Sequence, residues 1–365
     1  MKNDVKNKEP FIRIAKNKEL SKNQIFLIRL LAVVLSLAAG GVFIMCLGYN
    51  PLNVYTAIIK GAFKNKIMVQ ETVKIAVPLL ISSLAVTLAF KMRFWNIGAE
   101  GQMIAGAIFA TAVGLYLPNI NHVLLMVLMF IAAIIGGGLW GLIPAVFKIK
   151  YNTNETLFTL MLNYIALYVI SILRDGIWKD PTSTLPKIIR FSQNACLDKV
   201  AGVHFGWIVA LVLVVFVYVY MRYTKQGYEI AVVGESPATA NYAGMNVNKI
   251  IVRTMFLSGA AAGIAGMVKA AGSDLTLSQS VAGGIGFTAI IVAWLSQLNP
   301  ITILVVTILL SALEKGCSSI SSVYPLMSAD CADILQGIIL FFILGCELFV
   351  RYKFVIFGGA KGGKN

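Results

Sequence analysis

The sequence predicts an all-α polytopic membrane protein of about ten transmembrane helices, some short or broken, with both termini in the cytoplasm. Three observations carry that expectation. Of the 365 residues, 58% are hydrophobic and only 13% charged. The mean hydropathy of +0.80 comes in long blocks, beyond what a soluble domain carries. The formal net charge of +15 lies in tails and turns between those blocks. That placement fits control of topology better than a nucleic-acid face. Finally, Pro118-Asn119 and Asn299-Pro300 punctuate the apolar runs where a chain would turn.

The elements follow in order. Residues 1–24 carry Lys2, Lys6, Lys8, Arg13, Lys16, Lys18 and Lys22 against Asp4, Glu9 and Glu19, which predicts a basic cytoplasmic tail. The apolar block behind it is too long for a signal peptide and is followed by many more, so it reads as an uncleaved first span over 25–48. The transmembrane domain covers 25–350. Within it, 50–72 reads as an external amphipathic segment, 75–90 returns to Lys91 and Arg93, 98–117 goes out, and 123–147 returns to Lys148 and Lys150. The next span, 155–173, leads into a polar external loop over 174–206. Residues 207–220 come back to a long cytoplasmic loop, 224–249, and 250–271 go out again. Segments 285–295 and 301–313 are short for a hydrocarbon core that takes about 20 residues. They read as a tilted hairpin or as broken helices. Residues 333–350 form the last span, and 351–365, with Arg351, Lys353, Lys361 and Lys364, a second cytoplasmic tail.

The least membrane-like stretch is Arg93-Phe94-Trp95-Asn96-Ile97-Gly98-Ala99-Glu100-Gly101-Gln102. A carboxylate at a helix centre costs about 2.5 to 3.5 kcal/mol, while each Leu, Ile, Phe or Val returns only about 0.3 to 0.6. The helix that follows therefore needs protein neighbours around its first turns. Asn96 is placed to cap it, and Glu100 to gain from its dipole. Asn96, Glu100 and Gln102 read either as a path or gating element on a discontinuous helix or as interhelical hydrogen bonds that position the bundle. Phe94 and Trp95 read as stacking surfaces for a ring or as anchors at the membrane interface. Glu155, Thr159 and Asn163 recur every four residues and put one polar face on their span, for a pathway or for a neighbouring helix. Gly106, Ala110 and Gly114, then Gly137 and Gly141, then Gly259, Ala262, Gly263 and Gly266 follow the small-residue spacing that lets helices approach closely.

Other chemistry finds no home. The five cysteines show no metal-ligand spacing; Cys317 and Cys331 are the pair that one external loop would bring together. His122 and His204 fall at span ends, where solvation is expected. The sequence contains no nucleophile elbow and no phosphate loop. In the cytoplasmic loop, Glu235-Ser236-Pro237-Ala238-Thr239-Ala240-Asn241-Tyr242-Ala243-Gly244 predicts a short helix with proline early and glycine at its stop. Such a helix suits a partner's groove or serves as a linker.

Asn96 to Gln102, Thr159-Leu160-Met161-Leu162-Asn163-Tyr164-Ile165-Ala166, the Gly234–Gly244 loop and Gly284-Ile285-Gly286-Phe287-Thr288-Ala289-Ile290 together resemble the permeases of bacterial ABC importers for nucleosides and simple sugars. These are relatives of the ribose and branched-chain amino acid permeases. The resemblance implies a non-catalytic permease in the bacterial cytoplasmic membrane, importing a small polar solute by alternating access. Nucleosides lead, simple sugars follow and branched-chain amino acids trail. It implies no cofactor in this chain: ATP and Mg belong to two partner ATPase subunits, in keeping with the missing Walker loop. It also implies a second, non-identical permease and an external solute-binding lipoprotein that meets 174–206. The path residues are then Asn96, Glu100, Gln102, Glu155, Thr159 and Asn163. Contact with the ATPase falls to Glu235, Ser236, Pro237, Ala240, Ala243 and Gly244. Outside the resemblance stand an ion-coupled carrier using Glu100 and a polytopic membrane enzyme, for which the sequence shows no acid, base or metal cluster.

Overall fold

A computed structural model describes residues 12–16, 21–321, 323–326 and 329–356; most of the basic tail and the end of the second tail lie outside the described residues. The chain begins with β1 (Ile12–Lys16), α1 (Lys22–Cys46), α2 (Pro51–Phe63), α3 (Lys66–Lys91), α4 (Ala99–Tyr116), α5 (His122–Tyr151) and α6 (Glu155–Asp175). A segment with strands β2 (Lys199–Val200) and β3 (Val203–His204) leads to α7 (Gly206–Tyr223), α8 (Lys225–Glu235), α9 (Pro237–Tyr242) and α10 (Val247–Val268). A π-helical turn, Lys269–Asp274, extends α10. It is followed by α11 (Ile285–Leu295), α12 (Pro300–Ile320), α13 (Ala329–Arg351) and β4 (Tyr352–Ile356).

The described residues form two compact units, one from those up to 57 together with those from 324 on, the other from those between 58 and 323. In the first, α1 packs on α13, and β1 runs antiparallel to β4 with Ile14 opposite Phe354. Two segments far apart in sequence are therefore hydrogen-bonded neighbours. Ser21 opens α1 with a capping box shared with Gln24.

The second unit holds the site. Its centre is α3, α4, α5 and α10, joined where side chains are smallest. A Cβ on Gly106 would overlap the backbone of Gly263, one on Gly137 the carbonyl of Gly259, and one on Gly266 the carbonyl of Met103. The small-residue spacing in the sequence thus becomes backbone-to-backbone contact. The buried hydroxyls of Ser83 and Thr87 on α3 are satisfied within its own turns, Ser83 donating to the Leu79 carbonyl at 2.6 Å and Thr87 to that of Ser83 at 2.8 Å.

The described residues bear out many spans but not the expected count of ten. Among the described residues six helices are long and apolar enough to cross a bilayer, or seven if α1 and α2, bent by 107°, count as one. The expected figure of ten includes α4, whose first turn carries the polar Glu100 and Gln102. It also includes α11, whose 11 residues reach about 16 Å, half of the core. Conversely, the expected 301–313 is too short. Asn299 caps α12 by accepting from the Ile301 N–H at 3.0 Å, Pro300 starts it, and it runs 21 residues through Glu314 and Lys315 to Ile320. Cys317 lies buried within α12 and Cys331 within α13, so neither occupies a loop that could bring the two together.

Candidate functional site

The polar stretch after α3 forms a buried junction. The chain turns at Arg93, whose φ of 58° is left-handed, and runs back to α4 without regular structure. The expected cap is displaced: Gly98 is the N-cap residue of α4, and the Asn96 side chain accepts from the Gly98 N–H at 3.0 Å. Asn96 and Gln102 face each other as two amides, each donating its NH2 to the other's oxygen at 3.1 Å. Asn96 also donates to Ser258 on α10 at 3.3 Å, and Ser258 donates to the Ala85 carbonyl of α3. One residue pair thereby ties three helices.

On the other side, α6 supplies the partners. Thr159 accepts from the Ile97 N–H at 3.2 Å; Asn163 accepts from the Gly101 N–H at 2.8 Å and donates to the Ile97 carbonyl at 2.9 Å. Asn163 lies about 12 Å along α6 from Glu155 and about 18 Å from Asp175, so the junction sits near the middle of the span. Glu155 is separate. It pairs with Lys148 at 2.8 Å across the turn from α5 to α6. Of the six candidate path residues, Asn96, Gln102, Thr159 and Asn163 are joined at this junction, Glu155 is an ion pair at the helix end, and Glu100 turns elsewhere.

Glu100 has a different role. Its two carboxylate oxygens accept from the backbone N–H groups of Gly284, at 2.8 Å, and Gly286, at 2.7 Å. These donors are at the start of α11, so an acidic side chain from α4 caps a half-length helix from outside. Gly286 is required because a Cβ there would lie 2.6 Å from the Glu100 Cα. Residues 275–284 before α11 are irregular, and α11 itself is a short apolar helix. Irregular backbone at membrane depth is tolerated where protein buries it or where it lines an aqueous cavity. At the far end of α11, Trp294 stacks on Trp95 with centroids 5.6 Å apart and tilts against Phe90 at 5.9 Å. Phe94 is buried. One face of the Trp95 ring is thus occupied by protein.

The loop at 174–206 is a folded cap. Trp178, Ile188, Phe191, Leu197 and Val203 are buried, and the Phe191 and Leu197 N–H groups bond to the carbonyls of Leu275 and Ala271. The polar sequence conceals this because its apolar residues are scattered. His204, expected in solvent, is 1% exposed between Gly206 and Gly272. Burial pushes its imidazole down to about 4, with the charges of Lys74 and Lys269 adding to the shift. Neutral in the folded protein, it takes up a proton in the unfolded chain below its ordinary value near 6.5. Stability is therefore held above that pH and lost as pH falls toward 4, by about 3 kcal/mol in all. Thermal unfolding between pH 4 and 8 is expected to show this slope, and His204→Gln is expected to flatten it.

At the opposite end of α7, Ser236 caps α9 by accepting from the Thr239 N–H at 3.2 Å. Ala240 is fully buried, whereas Glu235, Pro237, Ala243 and Gly244 are exposed, and Gly244 has a φ of 76°. Tyr242, which no pattern in the sequence singles out, stands 95% exposed at the end of α9. Behind it, α8 packs on the end of α3 so closely that a Cβ on Gly234 would overlap the Lys91 carbonyl. The exposed short helix is thus one contact away from the turn that leads to Asn96. Arg253 of α10 pairs with Glu229 of α8 at 3.0 Å and holds the arrangement.

A multi-pass bundle with a buried polar junction, a short apolar helix beside it and a short exposed helix at one end has the parts of a membrane transporter. The chain belongs to the family described as branched-chain amino acid transport system / permease component, which matches residues 68–344. It is 33% identical to the glucose ABC transporter permease protein TsgB13 of Haloferax volcanii, over 88% of each chain. It is 32% identical to the guanosine ABC transporter permease protein NupP of Bacillus subtilis, over 93% of this chain and 98% of that one. With the nucleoside ABC transporter permease protein NupB of Lactococcus lactis it shares 29% over 88% and 92%.

Proposed function

We propose that this chain is the membrane permease of an ABC importer that carries nucleosides across a bacterial cytoplasmic membrane. The observation that carries transport is the short apolar helix α11, fastened to the buried junction by Glu100, in a chain of this family. The nucleoside follows from the likeness to the guanosine and nucleoside permeases. A simple sugar is the second reading, favoured by the glucose permease. A carrier that uses Glu100 as an ion site is disfavoured, because both carboxylate oxygens already accept backbone hydrogen bonds.

In this reading the chain catalyses nothing itself. Separate ATPase subunits bind ATP and Mg and close on nucleotide, and α9 passes that movement to the bundle. The end bearing Lys91, Arg93, Lys148 and Lys150 is cytoplasmic by the excess of basic residues. The termini share that side, and 174–206 faces outward to meet a solute-binding lipoprotein. A second, non-identical permease completes the path, since the polar groups of this chain's junction are spent on one another. Asn96, Gln102, Thr159 and Asn163 then shape the wall of the path rather than touch the solute.

Uptake of labelled guanosine or uridine by cells with and without the chain, with excess glucose, ribose or leucine as competitors, tests the reading. Uptake that needs ATP and yields only to nucleosides supports it. Competition by a sugar moves the assignment to the second reading, and uptake driven by an ion gradient without ATP defeats both. Docking is tested on Tyr242, because a large residue at buried Ala240 would disrupt α9 itself. Tyr242→Ala is expected to cut uptake at least about tenfold and to weaken co-purification of the ATPase, with the chain's level in the membrane unchanged.

A further inference from the structure

We propose that α11 swings as a rigid half-helix during transport and that Glu100 is the latch holding its leading end in this structure; the inference rests on the importer reading above. Both ends of α11 are built as hinges. Gly283 and Gly284 precede it with φ of 49° and 85°, and Gln297 and Leu298 follow it with φ of 52° and 57°. Glycines take that left-handed backbone freely, but two consecutive residues with side chains rarely do. Strain of this kind persists where the surroundings impose it, and it gathers at switching elements.

The fastenings at the two ends are separable. At the leading end they are the two hydrogen bonds to Glu100, and at the trailing end the stack of Trp294 on Trp95 and Phe90. The Ser296 hydroxyl, at the trailing hinge, is buried without a hydrogen-bond partner. A second arrangement of that hinge would relieve it.

Glu100 is also placed to sense the cytoplasmic end. Its neighbour Gly101 is held by Asn163, and the irregular stretch leading to α4 begins just after Lys91, the end of α3 on which the Gly234 backbone of α8 rests. A shift of α8 and α9 reaches the first turn of α4 through that stretch. Because one carboxylate fastens α4 to the start of α11, displacing Glu100 by a few ångströms releases two N–H donors together. Glu100 is thus a positioning residue for α11.

The test uses the assembled transporter in liposomes, its five cysteines replaced by serine and spin labels attached at Phe287→Cys on α11 and Leu139→Cys on α5, both exposed positions. A second pair, Leu139→Cys with Val212→Cys on α7, reports on the rest of the bundle. Between the nucleotide-free and vanadate-trapped states, the α11 distance is expected to change by about 5 Å, one helical turn, with the α5–α7 distance constant. Glu100→Gln, which turns one acceptor into a donor, is expected to raise the shifted population about tenfold without nucleotide. Gln297→Gly frees the trailing hinge from its side chain and is expected to move the population back toward the latched distance. An α11 distance that stays fixed while the labelled transporter works, or a shift shared equally by both pairs, overturns the inference and leaves the importer reading standing. Failure of the unlabelled wild-type transporter to drive uptake with ATP overturns the importer reading, and the latch with it.

Discussion

Replacing Gly263 by leucine is expected to remove the chain from the membrane fraction, while Gly337→Ala leaves its level unchanged. At Gly263 the backbones of α4, α5 and α10 meet: a Cβ there would overlap the Ala133 carbonyl and come within 3.1 Å of the Gly137 Cα. The obstacle is main chain on helices that are themselves packed, so no side chain can rotate away. Even Gly263→Ala is expected to cost on the order of 3 kcal/mol, and leucine adds volume with nowhere to go. A Cβ on Gly337 of α13 would have nothing within 4 Å, so a substitution there serves as the control. Immunoblots of washed membranes and thermal aggregation of the detergent extract read both effects. Normal accumulation of Gly263→Leu would mean that the three helices can part.

The second large effect is expected at Glu100→Ala. Truncation leaves the Gly284 and Gly286 N–H groups without acceptors at a buried helix start, about 1 to 3 kcal/mol each. Uptake is expected to fall at least about tenfold in a chain that still reaches the membrane, with a lower melting temperature. Glu100→Gln keeps one acceptor and is expected to fall between. Full uptake by Glu100→Ala would show that α11 needs no cap from α4.

Legibility in the sequence follows the range of each interaction. The glycine spacings along α4, α5 and α10 are periodic within single helices, so close packing can be read directly, although not which helix each will meet. The polar face of Glu155, Thr159 and Asn163 is visible for the same reason. Its use is not, since Thr159 and Asn163 turn to residues 97 and 101 while Glu155 stays with Lys148. The cost of a buried carboxylate points to Glu100 from its neighbours alone. Its partners are 184 and 186 residues further along the chain, and no local rule names them. His204 differs from expectation because burial at the end of a span depends on a loop folding back, and Cys317 because α12 runs on to Ile320. Tyr242 is silent in the sequence because a surface tyrosine carries no periodic signal.

The pairing of β1 with β4 also bears on how the protein is made. The first helix is synthesised long before the last, yet α1 and α13 share a unit and their flanking strands share a ladder. An early span must therefore wait in the bilayer, without its partner, while everything between them is inserted. Such a unit closes only after α13 and β4 have been made, and closing it is a late step by sequence separation alone.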